Sequence, residues 1–441
     1  MELAGKRVLV IGLGVSGRAA ARLAAACGAR LVLADARADI AREGLPDGEL
    51  RLGAEAPASL GGVDLAIASP GVPPTSPLMR AAVAAGIPLI GELEFGARFF
   101  AAPIAAVTGT NGKSTVTMMI GAMLRAAHLR VFVGGNLGTP IAEAAAGEFD
   151  AAVIEASSYQ LELVERFHPR VAVHLNLSDD HLDRYRDFAE YGRAKARIFE
   201  NQDATDCAVL NRDDPNVWRL AASSRGRVFS FGLQAPPPSG DAIWPGRGAL
   251  AWRFRGGEGE IDLRRFTLGG RHNLANAMAA AAAALAMGAG PAAIETALAD
   301  FRGLKHRLEF VAEKRGVRYV DDSKGTNVGA AVEALHAMVP PVILIAGGVD
   351  KGGDYAPLRA AVRERARLVI LNGAAREKMR AALAGAAAIE AAPTMGEAVR
   401  IAARRACPGD TVLLSPACSS FDQFRDYAER GRVFQELVRA L

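Results

Sequence analysis

Short apolar runs recur along the chain, each followed by a longer stretch in which Ala and Leu return at helical spacing. The runs fall at 7–11, 31–35, 64–69, 104–108, 151–155, 171–177, 317–321, 342–346, 368–371 and 411–414. Several are unbroken Val/Ile/Leu/Ala, whereas a strand with one wet face alternates apolar and polar residues. Unbroken runs therefore predict strands covered on both faces of a parallel sheet. The intervening helical patterns lie at 16–27, 114–127, 273–287, 291–300, 329–338 and 421–438. Alternating strands and helices predict an α/β architecture, in which ligands gather at the carboxyl ends of the strands.

A chain of 441 residues exceeds one ordinary core and suggests about three domains. New strand–glycine-loop units begin after the apolar run 87–90 and after the helical pair that ends at residue 300. The expected domains are thus 1–92, 93–302 and 303–441. Within the middle one, 234–240 (with Pro236, Pro237 and Pro238) and 246–259 read as loops between short antiparallel strands.

Composition narrows the function. Half the residues are hydrophobic and 23% are charged, as in a globular protein. The net charge of +4 comes from dispersed arginines with no basic block interleaved with aromatics, which argues against nucleic-acid binding. No apolar stretch is long enough for membrane insertion, and the first residues lack a signal-peptide pattern. Cys27, Cys207, Cys407 and Cys418 are scattered without a CxxC pair. This argues against a disulfide framework or structural zinc site and for a reducing cytoplasm.

Two glycine loops carry candidate chemistry. Gly12-Leu13-Gly14-Val15-Ser16-Gly17 follows a strand and opens a helix, with Asp35 at the end of the next strand. Glycines permit a tight turn and close backbone approach. The helix start offers free N–H groups to phosphate, and Asp35 can accept from a ribose hydroxyl or a base N–H. Alone, the pattern fits NAD(P). A full dinucleotide fold needs two mononucleotide halves, however, and 92 residues hold little more than one, which favours a single nucleoside diphosphate.

The second loop, Gly109-Thr110-Asn111-Gly112-Lys113-Ser114-Thr115, also runs from strand to helix. Its amides and helix dipole suit phosphate oxygens, Lys113 suits the β/γ-phosphates, and Ser114 suits Mg2+. The spacing departs from GxxxxGK[ST], because Val107 stands where the first glycine would. Mg2+ wants hard oxygen ligands, and Glu155 ends a strand where it can face the loop. His181 follows an apolar strand and is a candidate ligand. Lys195 sits on a helical pattern and alone reads as a surface lysine. A nicotinamide dehydrogenase built on the first loop, or an ATPase without a ligation product built on the second, stays open at this point.

The sequence resembles the Mur ligase family, over its whole length. The resemblance rests on 109–115, Glu155 to Leu161, Asn176-Leu177 with Asp180-His181-Leu182-Asp183, Arg271-His272-Asn273 with Asn276, and His306-Arg307. Further on it rests on Asp322-Ser323-Lys324-Gly325-Thr326-Asn327, Gly347-Gly348 with Asp350-Lys351-Gly352, and 414–422. The last three clusters, with Ser69-Pro70-Gly71, look like the branch that adds D-glutamate to UDP-N-acetylmuramoyl-L-alanine.

The resemblance implies a Rossmann-like first domain for the UDP-sugar, a P-loop-type ATPase domain and a Rossmann-like C-terminal domain. It implies UDP-substrate contacts at Val15, Ser16, Asp35, Arg37, Ser69, Pro70, Gly71 and Asn136. It implies ATP contacts at 109–115, Asn276, Arg307 and Asp322, and D-glutamate contacts at Thr326, Lys351, Ser420 and Phe421. It implies two Mg2+ ions, with Ser114 and Glu155 on the first and His181 with a carbamylated Lys195 on the second. Lys113, His181 and Lys195 would be catalytic. A cytoplasmic monomer making a peptidoglycan precursor is the expected context. Tyr427 stands where the family pattern has Phe, and an amide ligase for another amino acid is the nearest alternative.

Overall fold

The structure, a computed structural model, describes residues 1–53, 60–145, 147–180, 184–235 and 238–441. It is α/β, with three sheets in chain order. Its residues divide into two compact units. The first comprises Met1–Leu177, Ala189–Phe266 and Ala275–Phe301, and the second comprises Ser178–Phe188, Thr267–Leu274 and Arg302–Leu441.

The first sheet is wholly parallel, in spatial order Glu49–Leu52, Arg30–Asp35, Arg7–Ile11, Leu65–Ala68, Leu89–Gly91. The unbroken apolar runs behave as expected. Val8, Val10, Leu33 and Ile67 pack against Ala20, Ala21 and Ala24 of the helix Val15–Ala26. Leu9, Ile11, Val32 and Ala66 pack on the opposite face against Leu78, Met79 and Ala82 of the helix Pro77–Ala84. The chain leaves Arg7–Ile11 toward one side of the sheet and later returns on its other side. Gly12 therefore lies at the topological switch point, the ligand crevice of such sheets.

The second sheet has nine strands. Its parallel part places Ile104–Thr108 between Ala151–Glu155 and Val171–His174, again a switch point. Register sets Glu155 beside Val107 and His174 beside Thr108. Its far edge is an antiparallel hairpin, Ala249–Phe254 with Gly257–Asp262. This corrects the expected loop at 246–259. Its glycines form the turn at Gly256 (φ +80°) and the places where Trp252 lies flat over Gly257 and Gly259, while Leu250, Phe254 and Ile261 supply a buried face. Pro236 and Pro237 lie outside the described residues.

Glu94 joins these two sheets. It sits in the helix Glu92–Ala97 that follows the first sheet, and its Oε2 accepts N–H bonds from Glu165, Arg166 and Phe167 at 2.8–3.0 Å. Arg98 donates to its Oε1 at 2.6 Å. A carboxylate with no exposed surface is stable only with this many donors.

The third sheet, in the second unit, runs Glu309–Lys314, Val317–Asp321, Thr411–Leu414, Val342–Gly347, Ala366–Asn372, Ala388–Ala391, antiparallel only at the first pair. Two predicted bounds move. The strand expected over 171–177 ends at His174, because Leu175 and Asn176 turn to serve the phosphate loop. The last helix is Tyr427–Arg439 and not 421–438. Asp426 caps it by accepting from the Glu429 N–H, and residues 421–426 form turns ahead of that cap. The alanine-rich helix Arg271–Ala286 is buried almost throughout its second half, where only small side chains fit. Among the described residues no helix is long and apolar enough to cross a membrane.

Candidate functional site

The phosphate loop lies between the strand Ile104–Thr108 and the helix Lys113–Ala126. Two of its glycines are obligatory. Gly109 has φ +145° and a Cβ there would lie 2.9 Å from Leu175 Cβ, while Gly112 has φ +85° and a Cβ would lie 2.5 Å from Asn276 Oδ1. Thus Asn276, expected at the nucleotide, packs directly against the loop. Gly112 caps the helix without a side-chain bond, and a helix start of this kind suits an anion. Asn176 fixes the loop from outside. Its carbonyl accepts from Thr110 N, its Oδ1 accepts from Asn111 N (2.7 Å), and its Nδ2 donates to Asn111 O (3.0 Å).

Three charged side chains converge on this loop. Lys113 Nζ donates to Gly109 O and Thr110 O, both at 2.8 Å. Lys195, only 1% exposed, donates to Gly109 O at 2.9 Å with its Nζ 4.7 Å from the centre of the Tyr191 ring. The Tyr191 hydroxyl reaches Thr110 Oγ1 at 3.3 Å. Glu155 ends its strand buried. Its Oε1 accepts from Asn136 Nδ2 at 2.7 Å, whereas its Oε2 has no partner. Thr115 Oγ1 is also buried and unpartnered, and Ser114 is buried beside it in sequence. Hard oxygen atoms left unsatisfied in a buried cradle are what a Mg2+ site requires, so the residues present fit the ion. His181 lies outside the described residues.

His174 lies behind the loop, fully buried with neither ring nitrogen partnered. Desolvation, then the ammonium groups of Lys195 and Lys113, lower its pKa to about 3, so it is a neutral imidazole.

The first glycine loop has the same backbone device with different chemistry. Gly12 has φ +85° and a Cβ there would lie 2.5 Å from Val72 Cγ2 and 3.0 Å from Ser69 Cβ. The Ser69-Pro70-Gly71 turn therefore packs directly on it. Asp35 is buried and organises the loop. Its Oδ2 accepts from Leu13 N at 2.7 Å, and its Oδ1 accepts from Arg37 N at 2.9 Å and from Arg37 Nε at 3.3 Å. Burial raises its pKa, but these bonds outweigh it and leave the carboxyl below its ordinary value. Val15, at the start of an uncapped helix, is 69% exposed.

In the second unit, Asp322 directly follows the strand Val317–Asp321 and meets Ser415, whose hydroxyl donates to Asp322 Oδ2 at 2.7 Å. Burial pushes the Asp322 carboxyl up to about 7, opposed by nearby Arg307. Gly325 has no room for a Cβ, which would meet Asp322 Oδ2 at 2.3 Å. Lys351 pairs with Asp180 at 3.6 Å, and Asn327 Nδ2 donates to Asp180 Oδ2 at 3.0 Å. Ser420 is buried, while Phe421 is 74% exposed. Thr326 lies in the turn before the helix Val328–Ala337, which Asn327 caps.

Arg430, in the last helix, holds two of these loops together. It is 2% exposed and donates to Ser323 O and Oγ at 2.9 Å and to the carbonyls of Cys418 and Ser419. Sequence reasoning missed Arg430, Asn176, Tyr191 and Asp180 as site residues. The signal for Tyr191 was its i,i+4 spacing to Lys195. An arginine among apolar helix positions, as Arg430 is, gives no comparable signal.

The family comparisons cover all three parts of the chain. Residues 6–91 match the Mur ligase MurD-like N-terminal domain, 107–284 the Mur ligase middle domain, and 306–418 the Mur ligase glutamate ligase domain. The chain belongs to the Mur ligase family. It is 45% identical to a UDP-N-acetylmuramoylalanine--D-glutamate ligase of Geotalea daltonii, across 100% of this chain and 99% of that one. It is 47% identical to the protein of that name from Anaeromyxobacter dehalogenans, across 99% and 98%. Among solved structures, a pseudomurein peptide ligase type C from Methanothermus fervidus superposes with a TM-score of 0.63 at 19% identity, covering 99% of this chain and 100% of that one. A UDP-N-acetylmuramate-alanine ligase from Thermotoga maritima gives 0.61 at 18% identity, covering 99% of each. These two share the fold, and the chain is a ligase of that family.

Proposed function

We propose that this ligase joins the amine of D-glutamate to the terminal carboxylate of UDP-N-acetylmuramoyl-L-alanine, at the expense of ATP, during peptidoglycan precursor synthesis. The observation that carries the reading is the phosphate cradle at Gly109–Lys113 with the half-satisfied Glu155 beside it, in a chain whose full-length relatives bear that ligase name. In this reading residues 1–92 hold the UDP moiety through Val15, Ser16, Asp35, Arg37 and 69–71, and Asn136 meets the same substrate. Residues 93–302 hold ATP, with Asn276, Arg307 and Asp322 among its contacts, and 303–441 receive the amino acid through Thr326, Lys351, Ser420 and Phe421. The protein acts as a cytoplasmic monomer.

A carboxylate is a poor electrophile, so it must first be activated. Its oxygen attacks the γ-phosphorus, the bond to the β-bridging oxygen breaks, and ADP leaves. The amine then attacks the acyl carbon, loses a proton, and phosphate departs. Two anions must meet in the first step. At ~4 Å and an effective dielectric of ~20, one unit-charge repulsion is about 4 kcal/mol. Lys113 and the open amides of its helix offset that repulsion and hold the transferring phosphoryl group. Ser114, Glu155 and His181 are the side chains that would hold Mg2+, which supplies further charge neutralisation when bound. Lys195 joins them if its neutral amine adds to CO2, forming an N–C bond and losing a proton. That converts a cation into an oxygen ligand, the change a second Mg2+ requires.

The test is phosphate release with ATP, Mg2+ and UDP-N-acetylmuramoyl-L-alanine, with each glutamate enantiomer in turn. Release that depends on the sugar substrate and on D- but not L-glutamate is expected. Equal release with ATP alone refutes the reading.

A further inference from the structure

Lys351 already has a carboxylate. Asp180 Oδ1 lies 3.6 Å from its Nζ, while Asp180 Oδ2 accepts from Asn327 Nδ2 at 3.0 Å. One oxygen thus accepts a hydrogen bond and the other forms an ion pair, and Asp180 is only 7% exposed. The Asn327 amide is held in turn, because its Oδ1 accepts from Ala330 N at 2.8 Å as the cap of the helix Val328–Ala337. The loop presenting Lys351 is fixed from its other side. Asp350 accepts from the Tyr355 hydroxyl at 2.8 Å and from Lys378 Nζ at 2.5 Å, so the neighbouring acid has partners of its own.

We infer that Asp180 is a built-in competitor for the amino-acid carboxylate: it occupies the Lys351 ammonium until a substrate carboxylate replaces it. The inference rests on Lys351 being the residue that receives D-glutamate. A lysine held at a strongly anion-binding position attracts any small anion when unpaired. A tethered carboxylate keeps simple anions off because its effective concentration exceeds theirs. The same tether weakens the substrate, since D-glutamate must displace it. Asp180 thus sets the KM for D-glutamate, exchanging affinity for selectivity against acetate, phosphate and similar ions. Asp180 acts through Lys351 and is a positioning residue.

The experiment compares Asp180→Asn, which removes the charge at constant shape, with Asp180→Glu, which keeps it, in the full-length enzyme. Two readouts are used: the KM for D-glutamate separate from kcat, and the acylation rate of Lys351 by an amine reagent, measured by peptide mass spectrometry. Asp180→Asn is expected to lower the KM about fivefold and raise Lys351 acylation several-fold. Acetate becomes a stronger competitor, and Asp180→Glu stays within about twofold of the parent on both readouts. Acylation unchanged by Asp180→Asn, or changed equally by both variants, overturns the inference. So does a KM for D-glutamate that rises. If Asp180→Asn speeds acylation but D-glutamate gives no protection and supports no phosphate release, the competitor role stands for Lys351. The assignment of that lysine to D-glutamate then fails instead.

Discussion

The two glycine loops of the first unit share a backbone and differ in everything attached to it. Each follows a buried parallel strand at a switch point, each needs a glycine with positive φ, and each opens a helix without a side-chain cap. At Gly12 the nearest carboxylate, Asp35, is spent on Leu13 N and Arg37. At Gly109 the carboxylate of the neighbouring strand, Glu155, keeps one buried oxygen unsatisfied, and two lysines reach the loop. The same turn therefore suits an anion twice, and in the proposed function the side chains decide which seat only binds and which also reacts.

The comparison breaks first at Lys113. Lys113→Ala should lower kcat by on the order of 10³-fold with unchanged circular dichroism, since a preorganised charge on the transferring group is lost. Near-parental turnover would mean that the second loop, like the first, only binds. Lys195→Ala should cost about 10²-fold, and short carboxylic acids should restore part of that activity by taking the place of the carbamate oxygens. Full activity without any added acid refutes the carbamate. On the other loop, Gly12→Ala must push Val72 or Ser69 away and strain a left-handed backbone. The expected result is a roughly tenfold higher KM for the UDP-substrate with the KM for ATP unchanged. A parallel rise in both constants would show that the loops are not separable.

The smallest effect concerns His174. Its folded pKa of about 3 lies below the unfolded value near 6.5, so the unfolded chain binds the extra proton. Stability from this group is present above pH 6.5 and lost as pH falls toward 3. At pH 5 the loss is about 2 kcal/mol, from ~1.5 pH units at 1.36 kcal/mol each. His174→Leu should therefore flatten the fall in melting temperature between pH 7 and pH 5. An equally steep fall in the variant removes His174 as its source.

The phosphate loop was legible because chain-local rules govern it: an unbroken apolar strand, two glycines, Lys-Ser-Thr, then a helix. The observed helix starts at Lys113, one residue from its expected start. The hairpin Ala249–Phe254 with Gly257–Asp262 was not legible, since its glycines make room for the Trp252 ring of a partner strand, and glycine in sequence reads as loop. The last helix was placed six residues early because 421–426 carry helical spacing, yet the deciding group is the Asp426 cap. Within the site, Glu155 and Lys113 could be found from their position after a strand or glycine. Arg430 and Asp180 depend on which distant carbonyls and amines reach them, information absent from their own neighbourhood.

The Glu94 carboxylate gives the first unit a fixed internal gauge. Three amides and an arginine pin it, so the helix that follows the first sheet is tied to residues 165–167, just ahead of the strand Val171–His174 in the second. In the proposed reading, a substrate held at the first turn by its diphosphate would bring its acid to the second across this joint. On that reading an acceptor one residue too long or too short would present its acid in the wrong place.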